Sequence, residues 1–333
     1  MKRFFLGCLV GLVVFVSLAG GRATAQADEP VRICRPNNMV STLLRVAEQK
    51  NYFRDAGINV VFQETTNAKI STDALLAGHA DAMGTVEAPL VYVGLGSLGA
   101  ASPPLVLIAA GGGSPETALV GRKDAGVATL ADIRGKRVGY LPGTVSYMLL
   151  ARLLDKTGLT MRDITLVPLQ PPAMPHALKG GAVDAFVMWE PWADQAVKAL
   201  GEDKIVRLRY PELYTYKTLF VVTKDFAHQH PEKVTALLKA LLRAEAFVKA
   251  HPEETMRLMS EAIKLDEAIL RKNWKDYDFT VGLDDSILTM MREDARYVIR
   301  DDPNFAGKAI PDFSRYIEPK FLREVVPERV RLP

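Results

Sequence analysis

Short apolar runs rich in β-branched residues alternate along this chain with longer runs in which apolar residues return every three or four positions. The first kind predicts strands at 31–34, 58–63, 82–85, 105–109, 118–122, 137–140, 164–168, 185–188 and 218–222. The second predicts helices at 41–51, 70–77, 146–156 and 173–180, and several long amphipathic helices past Pro231. Strand and helix in alternation imply an α/β fold. At 333 residues the chain has material for two such units, each with its own core.

Sliding the sequence on itself shows that the units are related. Ala74-Leu75-Leu76-Ala77-Gly78-His79-Ala80-Asp81-Ala82 aligns without a gap on Ala177-Leu178-Lys179-Gly180-Gly181-Ala182-Val183-Asp184-Ala185, sharing Ala, Leu, Gly, Asp and Ala. A glutamate lies six residues past each aspartate, Glu87 and Glu190, and each copy opens its first helix on Val-Ser, at Ser41 and Ser146. Both then reach a glycine, Gly57 and Gly158, suited to stop a helix before the next strand. Asp81 and Asp184 are read as turn formers before a strand rather than as ligand contacts.

The N-terminus modifies the charge picture. Lys2 and Arg3 precede an apolar stretch from Phe4 to Ala19 and the small-x-small run Ala23-Thr24-Ala25, which reads as a cleavable secretory signal peptide over 1–25. Roughly 16 apolar residues at about 1.5 Å each fall short of a hydrocarbon slab of about 30 Å. Cleavage removes Lys2, Arg3 and Arg22, which lowers the 42 basic residues to 39, equal to the 39 acidic ones. The formal charge of +3 thus belongs to the targeting segment, and no electrostatic case for nucleic acid remains. Cys8 leaves with the signal, so Cys34 has no partner and is expected to be a buried small hydrophobe in the first strand.

Candidate chemistry lies where strands turn into helices. Helix starts expose unpaired N–H groups and the positive pole of the helix dipole, and open α/β sheets bind ligands at the carboxyl ends of their strands. The loops leading to Asn38 and Ser41 and through Gly143, Thr144 and Ser146 should therefore face one another and hold a small anion without a lysine. The alternative is that Ser41 and Ser146 are ordinary caps, each contributing about 1 kcal/mol to its helix. Trp189-Glu190-Pro191-Trp192 adds a flat apolar wall with one donor at Trp189 and an acceptor at Glu190, while Trp192 is assigned to packing.

Other motifs carry no chemistry. Gly94-Leu95-Gly96-Ser97-Leu98-Gly99 matches a dinucleotide fingerprint, but a helix precedes it and an apolar strand follows Pro103-Pro104, so it is read as a loop. Gly111-Gly112-Gly113 lacks the Gly-Lys-Ser/Thr ending of a phosphate loop, the five histidines are scattered, and His176 is read as an exposed helix residue. No cofactor, no metal site and no catalytic constellation is expected.

Four stretches in order carry a family resemblance: Ala47 to Gly57 with Tyr52-Phe53; Ala74-Leu75 with Gly78 and Asp81; Leu130-Ala131-Asp132-Ile133-Arg134-Gly135-Lys136-Arg137-Val138-Gly139; and Ala177-Leu178 with Gly181, Asp184 and Ala185 through Trp189-Glu190-Pro191. The chain resembles the NMT1/THI5-like periplasmic substrate-binding proteins of nitrate, sulfonate, taurine and thiamine-precursor ABC importers, from about residue 30 to about 300. The resemblance implies a two-lobed, type II-like periplasmic binding protein with a cleft between lobes and two chain crossings, near 121–128 and 210–217. Lobe 1 would be 28–122 plus 216–333, with the C-terminal helices packed on it, and lobe 2 would be 123–215. A monomer of this kind takes a small organic anion, sulfonate-like, and delivers it to permease and ATPase subunits. Ligand contacts would come from Asn38, Ser41, Thr65, Thr66, Glu87, Gly143, Thr144, Ser146, Trp189, Glu190 and Tyr214. Two alternatives stay open: a pyrimidine-precursor synthase on the same scaffold, and a solute sensor for a membrane kinase.

Overall fold

The computed structural model describes residues 29–98 and 103–332, so the expected signal peptide lies outside the described residues. In chain order the first unit runs β1 (Val31–Pro36), α1 (Thr42–Gln49), α2 (Tyr52–Asp55), β2 (Val60–Thr65), α3 (Ala68–Leu76), β3 (Ala82–Val86), α4 (Glu87–Gly96) and β4 (Leu105–Ser114). The second runs β5 (Ala118–Arg122), β6 (Arg137–Tyr140), α5 (Val145–Lys156), β7 (Thr165–Pro168), α6 (Met174–Lys179), β8 (Ala185–Met188), α7 (Trp192–Leu200) and β9 (Ile205–Leu208). The chain then returns through β10 (Tyr216–Thr223) to α8 (Lys224–Gln229), α9 (Pro231–Ala250), α10 (Pro252–Ile263), α11 (Glu267–Asn273), α12 (Ser286–Asp301) and α13 (Lys320–Val325).

Two five-stranded sheets result, ordered β2-β1-β3-β10-β4 and β7-β6-β8-β5-β9. Each has three parallel strands followed by an antiparallel fourth, and each fourth strand is the one that has just crossed from the other unit. The fold is therefore the two-lobed α/β architecture with two crossings. The first crossing lies earlier than the expected 121–128: β5 pairs with β8 and β9, so the chain leaves the first sheet at Ser114 and enters the second at Ala118. The second runs from Leu208 to Tyr216.

The repeat has a physical cause. Asp81 accepts the Arg32 backbone N–H at 2.8 Å and its guanidinium at 2.6 and 3.1 Å, clamping the turn before β3 to the start of β1. Asp184 does the same to Arg137, also at 2.8, 2.6 and 3.1 Å, clamping the turn before β8 to β6. Gly78 and Gly181, three residues before each aspartate, have φ of +75° and +72°, a left-handed conformation that a side chain would strain.

Local details differ from expectation. The helix expected over 41–51 is a 3-10 turn, Met39–Ser41, followed by α1, and Asn51, at φ +59°, breaks it from α2. The Gly94–Gly96 part of the glycine-rich stretch is the last turn of α4 rather than loop, because its neighbours Leu90, Val91 and Leu95 are buried. Strand β9 was missed, being four partly covered residues at a sheet edge. The C-terminal helices cover the first unit, α9 against α1 and α2 and α12 against α4. Cys34 is buried in β1, its thiol against the Gln63 side-chain oxygen at 3.5 Å and pushed up in pKa by burial.

Candidate functional site

The carboxyl ends of β1, β3 and β8 deliver the chain into helices or turns that face one cavity between the units. Its walls are Asn38, Val40, Ala68 and Val86 from the first unit, Thr144, Val145 and Trp189 from the second, and Tyr216 from the returning strand. Six of these eight residues, Val40 among them, sit at an N-cap or first-turn position. Asn38 caps the 3-10 turn by accepting the Val40 N–H at 3.1 Å, Ala68 is the first residue of α3, and Val86 immediately precedes α4. Thr144 caps α5 by accepting the Ser146 N–H at 3.2 Å, and Val145 is the first residue of that helix. First-turn amides have no partner within their own helix, and aligned peptide dipoles make these ends positive.

The space is narrow. The cavity has room for about one water. The lobes are thus nearly closed on each other. Gly143, at φ +74°, lies against the Lys69 side chain of the opposite unit.

No charged side chain lines the cavity, but polar groups surround it. Trp189 is 3% exposed, and its indole N–H has no hydrogen-bond partner among the described residues. Tyr216 donates its hydroxyl to Glu116, which also accepts from the Tyr277 hydroxyl at 3.1 Å. Burial pushes Glu116 up to about 8, against the hydrogen bonds from the two tyrosines. Glu87, at the head of α4, accepts the Tyr214 hydroxyl and the Lys217 N–H at 2.9 Å; burial and the nearby Asp294 push it up to about 7.

The structure sorts the expected site residues into three groups. Asn38, Thr144 and Trp189 meet at the cavity. Ser41, Ser146, Glu87, Glu190 and Tyr214 are buried one layer back, with their polar atoms engaged. The Ser41 hydroxyl donates to the Asn38 carbonyl and accepts from Arg45, both at 2.8 Å; that of Ser146 donates to the Val187 carbonyl at 2.6 Å and accepts the Leu141 N–H at 3.1 Å. Neither serine side chain makes a cap hydrogen bond: Ser41 stands at the N-cap position of α1 without one, and Thr144 holds the N-cap of α5. Glu190 accepts the Asp194 N–H and pairs with Arg207, each at 3.0 Å. Thr65 and Thr66 line a wider groove beside the cavity, facing Pro191, Trp192 and Gln195, which puts Trp192 at a cleft edge rather than in packing alone. Val40, Ala68, Val86, Val145 and the underlying Glu116 were not among the expected site residues. Asn67, which caps α3 by accepting the Ile70 N–H at 3.1 Å, was the signal for Ala68.

A family model described as NMT1/THI5 like matches residues 38–255, which span both units and every cavity-lining residue. The chain belongs to the NMT1/THI5-like family. Among its relatives, a putative aliphatic sulfonates-binding protein of Bacillus subtilis is 26% identical over 304 residues, covering 88% of this chain and 90% of that one. The taurine-binding periplasmic protein of Escherichia coli is 28% identical over 227 residues, 66% of this chain and 68% of that one. The fold matches the alkanesulfonate-binding protein SsuA from Xanthomonas axonopodis pv. citri, solved bound to MOPS, with a TM-score of 0.74 at 20% identity over 87% of this chain and 98% of that one.

Proposed function

We propose that this family member is the periplasmic solute-binding component of an ABC importer, taking a small organic anion of the sulfonate class between its lobes. The observation that carries this reading is the convergence of helix starts from both lobes on one cavity that is also lined by Trp189, whose buried indole N–H has no hydrogen-bond partner among the described residues. Such a site offers donors and positive helix poles, and its wall of Val40, Ala68, Val86 and Val145 suits the apolar part of an organic anion. The names of the sulfonate- and taurine-binding relatives support the same class.

The lobes we assign are residues 29–114 with 216–332, and residues 118–208, hinged at 115–117 and 209–215. Solute binds the closed form better, shifts the population toward it, and the closed monomer docks on a membrane permease. No chemistry is performed on the solute. A synthase needs reactive side chains in the cleft, whereas the Cys34 thiol is buried within the first sheet. The signal peptide over 1–25 places the mature chain in the periplasm.

A thermal-unfolding screen across alkanesulfonates, taurine, nitrate, bicarbonate, aromatic carboxylates and pyrimidines tests the reading. A true ligand at about 100 times its dissociation constant stabilises by roughly 2.7 kcal/mol. Stabilisation by a pyrimidine and by no anion would contradict it.

A further inference from the structure

Beneath the cavity, Glu116 lies in the first hinge segment, 2% exposed, with both carboxyl oxygens turned to tyrosine hydroxyls. Charged and titratable groups approach it from several sides. Tyr216 comes from β10, Tyr277 from the segment after α11, Glu190 from the loop after β8, and Arg209 from the second hinge segment. Arg209 donates to the Pro115 carbonyl at 2.8 Å and to the Asn273 side chain, so its hydrogen bonds go elsewhere. A carboxylate so placed would be buried with no cation hydrogen-bonded to it, next to the acidic Glu190, which costs several kcal/mol relative to the neutral acid.

Counting hydrogens gives the consequence. Neutral Glu116, Tyr216 and Tyr277 together carry three O–H hydrogens for two mutual contacts, which leaves one hydrogen over. With Glu116 ionised there are two for two and none is spare. Tyr216 is the member of this group that lines the cavity.

Resting on the anion reading above, we propose that Glu116 is a positioning residue: held as a neutral acid, it donates to Tyr216 and so frees the Tyr216 hydroxyl to donate to an anion in the cleft. Ionisation takes that donor away and adds a negative charge under the site. Burial sets the transition near pH 8.

The test uses the mature protein, Glu116→Gln and Tyr216→Phe, with ethanesulfonate as probe, a ligand that stays ionised throughout. Difference infrared spectra of ligand-free wild type against E116Q should show a protonated-acid carbonyl band at pH 7 that is lost by pH 9.5. Calorimetric affinity for ethanesulfonate should fall about tenfold between pH 7 and pH 9 in wild type, the slope of one linked proton with a transition near pH 8. E116Q keeps a neutral donor that cannot ionise and should bind with the same affinity at pH 7 as at pH 9. Y216F should lose about tenfold at pH 7 and fall by less than wild type from there to pH 9, only the added charge remaining to act. Absence of the acid band, a flat wild-type profile, or an equal fall in E116Q overturns the proposal. Failure of every anion to bind wild type at any pH overturns the anion reading and the link from Glu116 to a ligand, while the infrared band still decides the charge on the carboxyl.

Discussion

Replacing Arg152 with methionine tests whether closure brings α5 of the second lobe against α12 on the first. Arg152 Nη2 pairs with Asp294 Oδ1 at 2.7 Å, and the two side chains are 9% and 0% exposed. The guanidinium also lies over the rings of Tyr214 and Tyr297, 4.6 and 4.8 Å from their centroids. Removing one partner of a buried pair costs about 3–5 kcal/mol because the other is left uncompensated. The low end applies here, since burial already pushes Asp294 up to about 6 and it can take a proton instead of staying charged. If α5 leaves α12 on opening, that cost falls on the closed form alone, and about 3 kcal/mol corresponds to roughly a hundredfold weaker ligand binding. Calorimetric titration with the best anion of the thermal screen, alongside urea unfolding of the ligand-free protein, separates the two possibilities. R152M should bind about a hundredfold more weakly with little change in the ligand-free urea midpoint. The hinge reasoning fails if affinity is unchanged while ligand-free stability drops by the full amount.

Further expectations follow from single contacts. Trp189→Phe keeps an aromatic wall and removes the unpartnered indole N–H of this cavity-lining residue, so anion affinity should fall about tenfold with the ligand-free melting temperature little changed; equal affinity assigns the indole to packing. Glu116 binds its proton more tightly folded than unfolded, so its stabilising contribution is present below about pH 4.5 and is lost as pH rises through about 8. Wild type should lose on the order of 4 kcal/mol relative to E116Q between pH 5 and pH 9, read from urea midpoints, and parallel profiles would refute it. Gly112→Ala should destabilise by about 2–4 kcal/mol in a thermal melt, because at φ +83° its Cβ would stand 2.1 Å from the Asp278 carbonyl oxygen.

Much of the fold was legible because inner strands such as β3 and β8 are buried throughout and read as apolar runs, and because the repeat preserved the Asp81 and Asp184 clamps. The crossing was misplaced since β5 is a buried apolar strand whichever sheet it joins, and only pairing with β8 and β9 decides that. In the site, Asn38, Thr144 and Trp189 were visible as polar or aromatic residues at strand ends. Ser41 and Ser146 misled because a hydroxyl at a helix start can turn inward: each holds a neighbouring carbonyl instead of the helix. Val40, Val86 and Val145 carry no chemical signature, and Tyr216 matters through Glu116, 100 residues away in sequence.

The most direct measurement is amide and indole NMR of the labelled protein titrated with ethanesulfonate. The largest shifts are expected at the backbone N–H groups of Met39, Ala68 and Val145 and at the Trp189 indole N–H, all moving together with one dissociation constant. Saturable binding that leaves these four signals in place would show that the anion is held elsewhere.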